Sequence, residues 1–189
     1  NSRQDPSYQR QCLTYHLFRQ AGLAAPRCNW AKVSVNGEDL GIYVHVDSLK
    51  KPFIRRSFPS DEGTLWEGTL SDFREGWMAT FEQKLNAKSD DMEGLQVVTD
   101  TLAEAPDDLY AALDVHIDMD QFLSFWAMEA LTGHRDGYSG NSNNFYVYEN
   151  PAEGGRLTFI PWGTDSSFHN YAEETNGVIV APSSVMRTG

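Results

Sequence analysis

Only two cysteines occur in 189 residues, so no disulfide framework or cysteine-rich metal cluster organises this chain. Cys12 and Cys28 stand too far apart for a Cys-x-x-Cys site, and two states are open to them: a disulfide in an exporting compartment, or free thiols elsewhere. Basic residues are also scarce. Lys and Arg total 15 against 27 Asp and Glu, a net charge of −12, which argues against nucleic-acid backbones and anionic membranes as general partners. No run approaches the roughly 18 consecutive apolar residues of a membrane helix, and Asn1 to Arg10 has no signal-peptide pattern. Repeats and low-complexity tracts are missing as well. With 40% hydrophobic and 12% aromatic residues, the chain is equipped to form a core; a chain this long buries roughly 70% of its unfolded surface. Asn1 in place of Met, and a close on Arg187-Thr188-Gly189, read as cut ends. The expectation is one domain over residues 1–189, truncated at both ends.

Periodicity and turn signals outline the elements. Asp5-Pro6 reads as a cap and first helical residue, with Tyr8, Cys12, Tyr15 and Phe18 as an apolar face and Gly22 as the stop. Lys32 to Val35 and Leu40 to Val46 alternate around Asn36-Gly37, predicting an antiparallel hairpin whose loop, Asn36 to Leu40, exceeds two residues. Leu49 to Phe58 predicts a short helix and Thr64 to Trp66 a strand, while Gly68 to Gly76 predicts little regular structure. Helical spacing recurs over Ser89 to Ala103, and again from Pro106-Asp107 to Ile117. Asp118 to Leu131 is apolar on more than one face, which predicts a buried central helix ending at Gly133. Asn144 to Tyr148 and Leu157 to Ile160 predict a second hairpin directly after it, and beyond Trp162 only Val178 to Val180 is apolar.

The stretch His134-Arg135-Asp136-Gly137-Tyr138-Ser139-Gly140-Asn141 lies between that helix and hairpin. Its His-Arg-Asp, followed five residues later by Asn, has the spacing of a kinase catalytic loop. In that role Asp136 accepts or orients a hydroxyl proton and Asn141 offers a neutral oxygen to Mg²⁺; the bland alternative is a turn in which both side chains cap backbone groups. Phosphoryl transfer also needs a carboxylate on the metal after the following hairpin, and Asp165 stands there, with an Asp-Ser turn as its alternative. Asn143 and Asn144 could face the metal or fix the loop. The five histidines are never spaced as paired zinc ligands, and Asp114, Asp118 and Asp120 lack the glycine and terminal glutamate of a calcium loop.

At this point the sequence resembles the spore-coat CotH kinase family, a group of atypical protein kinases, over nearly its whole length. The matching stretches are Asp5 to Pro26-Arg27, Val35-Asn36-Gly37-Glu38 with Gly41-Ile42-Tyr43-Val44, Leu65-Trp66-Glu67-Gly68 and Phe81-Glu82-Gln83-Lys84. They continue from Asp136 through Asn144-Phe145-Tyr146 to Ile160-Pro161-Trp162-Gly163-Thr164-Asp165. The resemblance implies an α+β, atypical protein-kinase-like fold, ATP with Mg²⁺ or Mn²⁺, and transfer to Ser/Thr hydroxyls of a protein substrate. It also implies export to a cell surface or spore coat. Lys84 is by the same resemblance the phosphate contact, with a solvated surface lysine as the alternative. One departure stands out: the family usually reads Pro-Trp-Asp-x-Asp where this chain has Pro161-Trp162-Gly163-Thr164-Asp165. If the first acid holds the metal in relatives, this chain is a pseudokinase serving as a surface or coat scaffold; if the second does, Asp165 suffices.

Overall fold

The computed structural model describes residues 5–86 and 92–169. The chain termini, Val178 to Val180 and the expected helix start at Ser89 lie outside the described residues. Within them the fold is mixed α+β, with two antiparallel sheets and six α-helices.

The first helix, α1 (Arg10–Gln20), starts later than Asp5-Pro6 suggested. Those residues form a preceding turn in which the buried Asp5 carboxylate accepts from the Ser7 N–H at 2.9 Å and the Arg10 N–H at 2.7 Å. A cap that reaches five residues forward leaves room for one turn before the helix begins. Tyr15 and Phe18 carry the buried face. Strands β1 (Cys28–Val35) and β2 (Glu38–Val46) form the first hairpin. Its loop is the two residues Asn36-Gly37, not the longer one expected: both have positive φ, as a tight primed turn requires. The surplus residue, Leu40, sits in a bulge opposite Val33/Ser34. Cys12 and Cys28 are joined as a disulfide, tying α1 to β1.

After α2 (Lys51–Ser57) comes β3 (Leu65–Gly68), then β4 (Phe81–Leu85), which sequence patterning missed. Helices α3 (Glu93–Glu104) and α4 (Leu109–Asp114) precede the central α5 (Met119–Thr132). The α5 boundaries follow its signals: the Asp118 side chain accepts from the Gln121 N–H, and Gly133 closes it with φ of 63°. The one-turn α6 (Tyr138–Asn141) leads into the second hairpin, β5 (Phe145–Asn150) and β6 (Arg156–Pro161).

The larger sheet runs β4-β3-β5-β6, every neighbour antiparallel. Alternation splits its side chains between two cores. Trp66, Phe81, Phe145, Val147, Leu157 and Phe159 pack with residues of α1, α3 and α5. On the opposite face Leu65, Tyr146, Tyr148 and Ile160 pack with Phe53 and Ile54 of α2. Covered on both faces, the sheet is a rigid platform, and β5 begins beside the end of β6 at the edge where the expected site residues gather.

Candidate functional site

Asp136 is half-buried in the loop between α5 and α6, and three asparagine amides grip it. Its Oδ1 accepts from Asn141 Nδ2 at 2.8 Å and Asn143 Nδ2 at 3.3 Å, and its Oδ2 from Asn144 Nδ2 at 2.7 Å. Asn144 Nδ2 also reaches the Asp136 carbonyl at 2.9 Å. The carboxylate is thereby fixed in orientation, and the Asn141 oxygen is turned away from it. The spacing of Asp136 and Asn141 therefore does bring the two side chains together.

Two buried groups hold this loop from beneath, and sequence reasoning gave neither a role. Glu129 on α5 is buried, and its carboxylate accepts from the backbone N–H groups of Tyr138 at 3.0 Å and Ser139 at 2.8 Å. Burial pushes its pKa up to about 7 against the pull of these donors. A Cβ at Gly137 would collide with Glu129 Oε1 and His134, so only glycine lets the loop pass this close. His134 shares its nitrogen Nε2 with the Trp162 carbonyl at 3.0 Å, which assigns the proton to Nε2. Burial brings its pKa down to about 4, so the ring is neutral. The one signal for Glu129 was an acid set among Trp126, Met128 and Leu131 in the apolar second half of α5. Tyr138 anchors α6, its ring packed among Phe122, Phe145 and Phe159 and its hydroxyl donating to Asp72 at 3.1 Å.

Asn144 links this loop to Asp165. Its carbonyl accepts from the Trp162 N–H at 3.0 Å, joining the start of β5 to the end of β6. Its side-chain oxygen would lie 2.5 Å from a Cβ placed on Gly163, where φ is 53°. The volume a side chain at 163 would enter is filled by the Asn144 amide. Asp165 follows in a short helical turn, Thr164–Ser166, half-buried, and no described residue pairs with its carboxylate.

Lys84 is on β4, on the sheet face that carries Tyr146. Its Nζ lies 2.6 Å from Glu67 Oε2 and 2.8 Å from Glu82 Oε2, and these two carboxylates raise its pKa, Glu67 foremost. Tyr146 donates its hydroxyl to Glu67 at 2.7 Å and meets the Trp162 ring edge-on at 5.7 Å. Lys84 is thus connected to the Trp162–Asp165 segment through Glu67 and Tyr146, and it is an ion-paired lysine, not a freely solvated one.

Among the described residues no three His, Cys, Asp or Glu side chains form a metal-binding group. The oxygen donors present, the Asp165 carboxylate and the Asn141 amide, suit Mg²⁺ or Mn²⁺, which typically take few protein ligands and complete their shell with water and substrate phosphate. The donor types are those of a metal that takes part of its shell from phosphate and water.

The sequence was compared with known proteins. Inner spore coat protein H of Bacillus subtilis (strain 168) is 23% identical over 177 residues, which are 87% of this chain and 47% of that protein. Spore coat protein homolog 1 of Rhizopus delemar is 24% identical over 178 residues, and Invasin CotH7 of the same fungus 24% over 176; each alignment covers 87% of this chain and 29% of the relative. The chain thus spans about half the length of the bacterial relative and under a third of the fungal ones. The CotH kinase protein profile matches residues 1–186, and the chain belongs to that family.

Proposed function

We propose that this chain carries the phosphotransfer centre of an atypical, kinase-like enzyme that uses ATP with Mg²⁺ or Mn²⁺ and acts on Ser/Thr hydroxyls of a protein substrate. The observation that carries this reading is the Asp136 carboxylate, held by three amides on a loop braced by buried Glu129, with the Asp165 carboxylate, unpaired among the described residues, in the short helical turn that follows β6. Asp136 accepts the proton of the acceptor hydroxyl. Asn141 and Asp165 supply the metal's protein oxygens, and Lys84 neutralises phosphate charge. The metal, when bound, offsets charge on the phosphate oxygens. Location at a cell surface or spore coat is supported by the names of the relatives and by the Cys12–Cys28 disulfide, which persists in oxidising compartments. Among the described residues no helix is long and apolar enough to cross a membrane.

Gly163 favours a second reading, in which the chain keeps the fold as a pseudokinase scaffold, because the acid that the family resemblance implies there is absent and the Asn144 amide fills the space beside it. Calorimetric titration with ATP and Mn²⁺, repeated with chelator, separates the two. The enzyme reading expects metal-dependent binding that Asp165→Ala abolishes while leaving the melting curve intact, together with phosphotransfer that Asp136→Ala removes. Binding without phosphotransfer to any protein acceptor selects the scaffold. A folded sample that binds no nucleotide overturns the enzyme reading for this chain.

A further inference from the structure

Glu67 and Glu82 are paired directly opposite each other across β3 and β4. Like charges in that position repel, and Lys84, two residues beyond Glu82, is the bulge residue that the β3–β4 pairing skips. Its ammonium bridges both acids, at 2.6 and 2.8 Å. The two acids are not equivalent. Glu67 is 22% exposed and its second oxygen is fixed by the Tyr146 hydroxyl, whereas Glu82 is 69% exposed and makes no other hydrogen bond or ion pair among the described residues. An exposed ion pair is worth little, so the Glu82 arm of the bridge yields to a stronger anion while the Glu67 arm stays.

We infer that Glu82 is a specificity determinant at Lys84: its carboxylate occupies the place on the ammonium that a ligand's phosphate oxygen takes, and only a densely charged polyphosphate displaces it. The inference rests on the reading of Lys84 as a phosphate contact. Glu67, anchored by Tyr146, aims the ammonium; Glu82 sets the charge a ligand must bring. A triphosphate meets that requirement and a monophosphate does not.

The test is calorimetric titration of inorganic tripolyphosphate, AMP, and ATP with Mn²⁺ into the wild type, Glu82→Gln, Lys84→Ala and the Glu82→Gln/Lys84→Ala double variant, each checked for an unchanged melting curve. Glu82→Gln is expected to bind tripolyphosphate about two- to fivefold more tightly, the equivalent of one exposed ion pair. It should also gain measurable AMP binding, and the double variant should lose both gains. Equal or weaker binding by Glu82→Gln overturns the inference, as does a gain that survives in the double variant, since that reports only the overall charge. If tripolyphosphate behaves as expected while ATP with Mn²⁺ does not bind, the nucleotide reading falls and the anion site stands. If neither wild type nor Glu82→Gln binds tripolyphosphate, the inference falls, and the nucleotide reading falls with it when ATP with Mn²⁺ does not bind either.

Discussion

Gly163 and Asn144 compete for one volume. A Cβ at 163 would stand 2.5 Å from Asn144 Oδ1, on a backbone with φ of 53°. Gly163→Ala is expected to cost about 1–3 kcal/mol, from left-handed strain plus overpacking. Since the clash is with Asn144, the cost should shrink in Asn144→Ala, so urea denaturation of both single variants and the double gives a sub-additive cycle. Strict additivity would mean the two residues do not share this space. A second residue-scale expectation concerns Glu129 and His134, both in contact with the position a Gly137 Cβ would take. The Glu129 pKa rises from 4.5 to about 7, so the folded state holds a proton that the unfolded state releases, and this group's stabilising contribution falls as pH climbs from 4.5 to 7. The His134 pKa drops from 6.5 to about 4, so its contribution is complete above 6.5 and is lost as pH falls toward 4. Between pH 4.5 and 6.5 the two slopes oppose and cancel. Glu129→Gln should leave stability rising with pH in that window by up to about 1.4 kcal/mol per unit, and His134→Gln should leave it falling. Urea midpoints at pH 4.5, 5.5 and 6.5 measure the slopes; curves parallel to wild type in both variants would refute the pairing.

At the scale of elements, the loop bearing Asp136 is positioned by how α5 docks on β6. That strand is at the edge of the sheet, and the Gln121 amide stands in for a neighbouring strand. Its Nε2 donates to the Phe159 carbonyl at 2.7 Å, and its Oε1 accepts from the Phe159 N–H at 2.9 Å. Gln121→Ala leaves both backbone groups of a buried residue unpaired, and the expected loss is about 1–3 kcal/mol in denaturant unfolding. A loss within 0.5 kcal/mol, the usual range of surface substitutions, would show that water takes over both bonds. Elements with local signals were legible in the sequence. Asn36-Gly37 announced the first hairpin, and Asp118 with Gly133 bounded α5, because cap and turn chemistry acts within a few residues. Strand β4 was not legible: Glu82 and Lys84 are polar, and the ion pair of Lys84 with Glu67 exists only once β3 and β4 meet. The same holds within the site. Asp136 and Asn141 could be read from their spacing, whereas the Glu129 brace depends on the backbone turning back onto α5.

The whole molecule is built from two sheets with no strand hydrogen bonds described between them. The β1–β2 hairpin is held to the rest by the Cys12–Cys28 bond, by Trp30 Nε1 donating to the Tyr8 carbonyl at 2.7 Å, and by Asp47, which accepts from Arg27 and Arg56. The last two are exposed contacts, Cys28 and Val46 also pack against the larger core, and the disulfide is the covalent tie, closing a loop of 16 residues. A loop of that length corresponds to about 3 kcal/mol in the chain-entropy treatment. Replacing both cysteines by serine should lower global stability by about that amount. The loss should also be uneven: amides of β1 and β2 should exchange much faster with solvent, while those of β3, β5 and β6, buried between two cores, keep their relative protection. Hydrogen exchange read strand by strand decides this, and a uniform loss across both sheets would mean that the hairpin is cooperative with the platform. Uneven loss would place the phosphate-contacting and metal-ligating candidates on the more stable unit, so ATP titration of the serine variant should match wild type at a temperature where both remain folded.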